Sequence, residues 1–332
     1  MVHMKRWPRG AARRAVLTGL AWTVGLVLSL ACAKVPQTAA PPLPHEPSLG
    51  PLIELVPPGP ELVLLARPEQ LARAEGPRAL FRSLVTEERE QAFRERTGVD
   101  PRTLSELVVF EVGKGGYVLL VRGTFDARRA VVAAGERLAI VDVSTDAPRV
   151  RREGLAGKGR YSYAALDAHA LLVAKDAAPA LVQTILHRID DTRAPRLLDS
   201  ADGAALYADH VAAPLLLLAP RPLALEPSTP AAVLLAEERA LAVAITPAGR
   251  SLWVTIDLRG VFPQGVEHNL RTLGASLGRS ELGSVLGFSG VSERMGIRVD
   301  PEGVFVRFEL DSAEVIRGVR LLFFEEMREI FP

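Results

Sequence analysis

Short apolar runs punctuated by turn residues recur along most of the chain. Leu107–Val112 and Tyr117–Arg122 are joined by Gly113-Lys114-Gly115-Gly116, and Tyr161–Leu166 and Ala170–Lys175 flank Asp167-Ala168-His169. In the second half the period of two is plain. Leu241, Val243 and Ile245 alternate with small residues, and Pro247-Ala248-Gly249-Arg250 turns the chain. Leu252, Val254, Ile256 and Leu258 then form one face of a strand, with Trp253, Thr255 and Asp257 opposite. Met295, Ile297 and Val299 alternate, Asp300-Pro301-Glu302-Gly303 turns the chain, and Val304, Val306, Phe308 and Leu310 face one way. In that turn Pro presets φ and Gly accepts a positive φ. Alternation of this kind predicts hairpins with one apolar face.

Helical segments separate the hairpins. Glu69–Arg96 reads as a long helical stretch broken near Gly76-Pro77, and Gly98 before Asp100-Pro101 stops it. Asp126 opens an Ala-rich segment to Leu138, Asp176 is a candidate N-cap for a helix to His187, and a further helix is expected from Phe262 to Gly278. Asp311 with Glu314 has the form of a capping box. After it Val315, Ile316, Val319, Leu322, Phe323 and Ile330 lay one apolar stripe on a closing helix.

The pattern gives four strand–strand–helix units, two per half. It predicts an α+β fold of antiparallel sheets with helices over one face. The halves, 52–192 and 193–332, open alike: PELVLLARPEQL from Pro60 to Leu71 and PLLLLAPRPLAL from Pro214 to Leu225. That likeness suggests an internal duplication.

The N-terminus has a different character. Residues 1–31 carry Lys5, Arg6, Arg9, Arg13 and Arg14 and no acid, and a largely apolar run from Ala15 to Ala31 follows the basic residues. This is the layout of an export signal. The sole Cys of the chain, Cys32, stands where the run ends, in Leu28-Ser29-Leu30-Ala31-Cys32. Residues 33–51 hold Pro36, Pro41, Pro42, Pro44, Pro47 and Pro51 and read as a stiff tether. At ~3 Å per residue it reaches up to ~55 Å.

The string around Cys32 resembles the lipobox of bacterial lipoproteins, in which a small residue precedes a Cys that is acylated before cleavage. Ser29 stands where that family usually has Leu, Val or Ile. The resemblance implies that residues 1–31 are removed and that Cys32 becomes the lipidated first residue. In that family an Asp after the Cys retains the protein at the inner membrane. Ala33 and Lys34 stand here, which implies the outer membrane, on its periplasmic or surface face. Two or more acyl chains hold a protein stably at a bilayer. The start of the body, with its hydrophobic strand, Arg67-Pro68 and Gly98-Val99-Asp100-Pro101, also resembles uncharacterised envelope lipoproteins of myxobacteria. That resemblance implies no activity.

Composition narrows the function classes. Without the five basic residues of the signal, 40 Lys and Arg fall to 35 against 39 acids, a formal charge of −4. A mildly acidic body argues against nucleic-acid binding. A single Cys excludes an intramolecular disulfide framework and a Cys-based zinc cluster.

Candidate chemistry is sparse. Gly274-Ala275-Ser276-Leu277-Gly278 fits G-x-S-x-G, but its flanks have helical spacing, and the last His, His268, precedes Ser276. Gly154–Gly159 looks like a phosphate loop but lacks Ser or Thr after Lys158, and reads as a turn between strands. Arg149, Arg151, Arg152, Lys158 and Arg160 form the densest basic cluster, a candidate contact for an anionic partner. His187 with Asp190 and Asp191 is the nearest thing to a ligand set and reads as a polar helix end. The sequence therefore assigns no catalytic, cofactor-binding or metal residues. It predicts a non-enzymatic, lipid-anchored envelope protein whose partners are the membrane, through Cys32, and an envelope protein or anionic polymer. The competing readings are a carrier of a lipid or apolar ligand, and an enzyme built on carboxylates such as Glu111, Asp142 and Asp257.

Overall fold

The structure, a computed structural model, describes residues 49–75, 78, 87–113, 115–136, 138–142, 150–157, 159–191, 193–223 and 235–317. The signal, Cys32, the tether up to residue 48, the expected break at Gly76-Pro77 and the closing helix beyond Arg317 lie outside them.

The strands of the first half are β1 (Val63–Ala66), β2 (Leu104–Val112), β3 (Gly116–Gly123), β4 (Ala139–Asp142), β5 (Arg151–Ala156), β6 (Gly159–Ala165) and β7 (Ala170–Lys175). Those of the second are β8 (Leu215–Ala219), β9 (Glu238–Ala248), β10 (Ser251–Gly260), β11 (Gly296–Asp300) and β12 (Gly303–Asp311). All twelve form one antiparallel sheet in the order β11-β12-β10-β9-β8-β1-β2-β3-β7-β6-β5-β4. The fold is α+β, as the alternation predicts. A single sheet runs through both halves, joined where β1 pairs with β8.

Read outwards from that seam, the orders β1-β2-β3-β7-β6 and β8-β9-β10-β12-β11 correspond strand for strand. The first half adds the β4–β5 hairpin at its edge. The two series meet at the β1–β8 seam, where Leu64 and Leu217 pair directly. Two arginines bond reciprocally across it. Arg67 Nη1 donates to the Ala213 carbonyl and Arg221 Nη2 to the Gly59 carbonyl. These contacts match the residue-by-residue likeness of the two openings, but the strands between them are displaced by one. Ala66 corresponds in facing to Ala219, and Pro220 is the extra residue before Arg221. A one-residue slip turns every side chain to the other face, so only this displaced alignment keeps the apolar faces matched.

The helices are α1 (Pro68–Arg73), α2 (Glu87–Thr97), α3 (Ala127–Gly135), α4 (Pro179–Asp190), α5 (Ala201–His210), α6 (Val266–Arg279), α7 (Glu281–Val285) and α8 (Val291–Arg294). They cover both faces of the sheet, not one as the alternation suggests. On the first face α3 packs over Leu64, Val109, Leu119 and Val173, and α6 and α8 pack over Val254, Leu258, Val304 and Val306. On the second face a short turn at Leu52–Leu55 joins α4 and α5 over Val63, Val108, Val118, Leu172 and Leu218. The reason is visible in the central strands. β1 and the apolar part of β3 are buried throughout, so neither shows a period of two.

Caps agree with the sequence in two places and depart in one. Asp126 accepts from the Arg129 amide at 3.0 Å, and Asp311 accepts from the amides of Ala313 and Glu314 at 2.8 and 3.1 Å. Asp176 does not cap α4. It sits at φ 50° and accepts from the Arg160 amide, while Pro179 opens the helix after Ala178. Pro at the first helical position lacks the N–H that would otherwise be orphaned there.

Candidate functional site

The lipidation candidate, Cys32, lies outside the described residues. The point at which the tether would enter the body is well defined. Glu106 on β2 accepts from the Leu52 amide at 2.9 Å and pairs with Arg122 on β3 at 3.2 Å. Arg122 in turn donates to the carbonyls of Leu49 and Gly50 at 3.1 and 2.8 Å. Burial pushes the Glu106 carboxyl up, against the pull of Arg122 and the Leu52 amide. The clamp fixes the first residues of the body on the second face of the sheet.

The other sequence candidates are dispersed. Ser276 and His268 are both exposed on α6, so no strand–turn–helix elbow forms. The two glycines of the motif have a packing role. A Cβ on Gly274 would stand 2.9 Å from Met295 Cε, and one on Gly278 would stand 2.7 Å from the Phe288 carbonyl oxygen. Gly154–Gly159 is the hairpin between β5 and β6, with Ala156 opposite Gly159 and Gly157 at φ 57°. Of the basic cluster, Arg149 and Lys158 lie outside the described residues. Arg151 is buried and bonds Glu153 at 2.8 Å, and Arg160 meets the same carboxylate at 2.6 Å. Glu153 thus neutralises much of the charge that a surface anion would need. His187 and Asp191 are 3.8 Å apart in an exposed pair at the end of α4.

The three carboxylates named for an enzyme do not converge. Glu111 is on β2, Asp142 on β4 at the sheet edge and Asp257 on β10. Glu111 and Asp257 are four strands apart, about 19 Å at ~4.8 Å per strand. Among the described residues no group of three or more His, Cys, Asp or Glu is placed to hold a metal, and no helix is long and apolar enough to cross a membrane.

The most distinctive surface is one the sequence only hinted at. Beside the end of α5, the second face of β10, β12 and β11 carries Trp253, Thr255 and Asp257, then Phe305, Arg307 and Glu309, then Arg298 and Asp300. The Arg307 guanidinium lies 4.3 Å from the Trp253 ring centroid and that of Arg298 lies 5.0 Å from Phe305. Stacking of this kind keeps an aromatic ring partly wetted and holds a charge over it. A concavity of about 300 Å³ opens beside them, lined by Asp257, Arg259, Arg298, Asp300 and Phe305. At its inner edge His210, the last residue of α5, approaches Asp257 at 3.4 Å. Arg259 ties that carboxylate, at 3.4 Å, to Asp209, at 2.7 Å. His210, Asp257 and Arg259 come from elements distant in sequence, so no local spacing signals them.

No family model matches the chain, and no curated protein does. Among solved structures, crystal form I of TP0453 aligns with a TM-score of 0.47 at 9% identity, covering 84% of this chain and 100% of that chain. Form III aligns with a TM-score of 0.47 at 8% identity, covering 82% and 98%. Form IV aligns with a TM-score of 0.47 at 10% identity, covering 81% and 96%.

Proposed function

We propose that this is a lipid-anchored protein of the bacterial cell envelope, without enzymatic activity, whose body presents a surface for protein contact. Acyl chains on Cys32 hold it at the outer membrane, and residues 33–48 carry the body away from the bilayer. The observation that carries the reading is the position of the only cysteine at the end of a basic-then-apolar leader. The clamp of Glu106 and Arg122 supports it, because a body held by a tether needs a fixed entry point for the pull. The half-wetted Trp253 and Phe305 under their arginines support the contact role, since aromatic and arginine side chains are enriched in binding surfaces.

The test is intact mass and membrane fractionation of the native protein beside Cys32→Ser. We expect the native chain to lose residues 1–31, gain acyl mass and fractionate with the outer membrane, and the variant to do none of these. A mature chain that carries no lipid, with a variant that behaves identically, would falsify the anchor.

A further inference from the structure

β11 is the last strand of the sheet at the second-half end. A two-residue connection makes Asp300 and Gly303 a bonded pair, so Gly296, Arg298 and Asp300 turn their amides towards β12. The amides and carbonyls of Ile297 and Val299 therefore point away from the sheet. Among the described residues nothing bonds to them. Val299 leaves 47% of its surface exposed at this edge, although its strand neighbour Val304 is in the core of the second half. On the other face Arg298 and Asp300 stand two residues apart and 3.0 Å from each other.

An edge of this composition is complementary to itself. We propose that β11 pairs antiparallel with β11 of a second copy, across a two-fold axis at Val299, extending the sheet through both molecules. In that register Val299 faces its own counterpart on the apolar face. Arg298 faces Asp300 of the second copy, and Asp300 faces its Arg298. Val299 exchanges two main-chain bonds with its counterpart.

A register centred on Arg298 pairs Ile297 with Val299 twice over but sets two guanidinium groups face to face, which is unfavourable for directly opposed residues. The charges therefore select the register as well as the partner. The contact is isologous, so it closes at two copies. Its chemistry does not depend on whether Cys32 carries lipid.

The test uses the full-length protein as the cell processes it. Directly opposed residues in a bonded antiparallel pair have Cα atoms about 5.5 Å apart, within disulfide reach. Val299→Cys should give a disulfide-linked dimer under mild oxidation, with wild type under the same oxidation as the control for Cys32. Wild type should also show a concentration-dependent dimer in sedimentation. Arg298→Asp should weaken that dimer at least tenfold, and Arg298→Asp with Asp300→Arg should restore it. All three positions are at the surface, and thermal melts will show whether the variants remain folded. If Val299→Cys does not cross-link and wild type stays monomeric, the pairing is wrong, and Arg298 and Asp300 serve only to keep a free edge from aggregating. A dimer that survives Arg298→Asp, or that the double exchange fails to restore, equally overturns this register.

Discussion

Glu238 opens β9 with 2% of its surface exposed, and among the described residues neither of its carboxylate oxygens has a hydrogen-bond partner. The Leu223 amide, short of full hydrogen-bond geometry, opposes the shift in part. Burial nevertheless pushes its pKa up to about 7 from an ordinary 4.5. The folded state therefore holds this proton more tightly than the unfolded chain does. The contribution to stability is complete below about pH 4.5 and is lost as the pH rises through about 7. Thermal unfolding should show a Tm that falls between pH 5 and pH 8. Glu238→Gln, neutral throughout, should flatten that slope and raise stability at pH 8, by an amount on the order of 2 kcal/mol. An unchanged slope in the variant would place the proton elsewhere. None of this is legible in the sequence, where Glu238 is one of the adjacent pair Glu237-Glu238. Its burial comes from strand pairing, opposite Gly260 at an irregularity in the β9–β10 register. The same holds for His210 and Asp257, which meet only because α5 ends over β10.

At the scale of elements, G-x-S-x-G shows how one motif admits opposite readings. A nucleophile elbow would make Ser276 the sensitive position, whereas close packing of the loop between α7 and α8 against α6 makes Gly278 the sensitive one. On α6 Ser276 is exposed, and a Cβ at Gly278 would meet the Phe288 main chain at 2.7 Å. Ser276→Ala should therefore change stability by less than about 0.5 kcal/mol. Gly278→Ala should destabilise by roughly 1–3 kcal/mol despite the better helix propensity of Ala, because the obstacle is backbone and cannot swing aside. Chemical denaturation of the two variants separates the readings, and a larger loss at Ser276 than at Gly278 would reverse them. The hairpins β2–β3, β6–β7, β9–β10 and β11–β12 were legible because their pairing is local and their turns are marked. The start of α4 was misread because an Asp two residues ahead of Ala178 looks like a cap in one dimension and is spent on the β6 amide of Arg160 in three.

The whole molecule depends on a seam that local patterns do not reveal. β1 and β8 read as VLLA and LLLLA, with no alternation to say what lies on either side or which strand is the neighbour. Their pairing buries Val63, Leu65, Leu216 and Leu218, none more than 3% exposed, against the covering layer of the second face. At about 2 kcal/mol for each buried side chain, these four contribute roughly 8 kcal/mol, comparable with the entire stability of an ordinary domain. The two-fold likeness of the halves therefore does not make them independent. Cutting the chain between residues 192 and 193 would leave each fragment with an apolar strand edge open to any other strand. Expressed alone, each fragment should aggregate or pair with itself. Expressed together, they should copurify in equal amounts and unfold in one transition close to that of the intact chain. Two separately soluble, monomeric and folded fragments would show that the seam merely joins two finished domains. The paired β1–β8 register argues against that outcome, because one core cluster holds Val63, Leu65 and Val108 of the first half together with Leu206, Leu216 and Leu218 of the second.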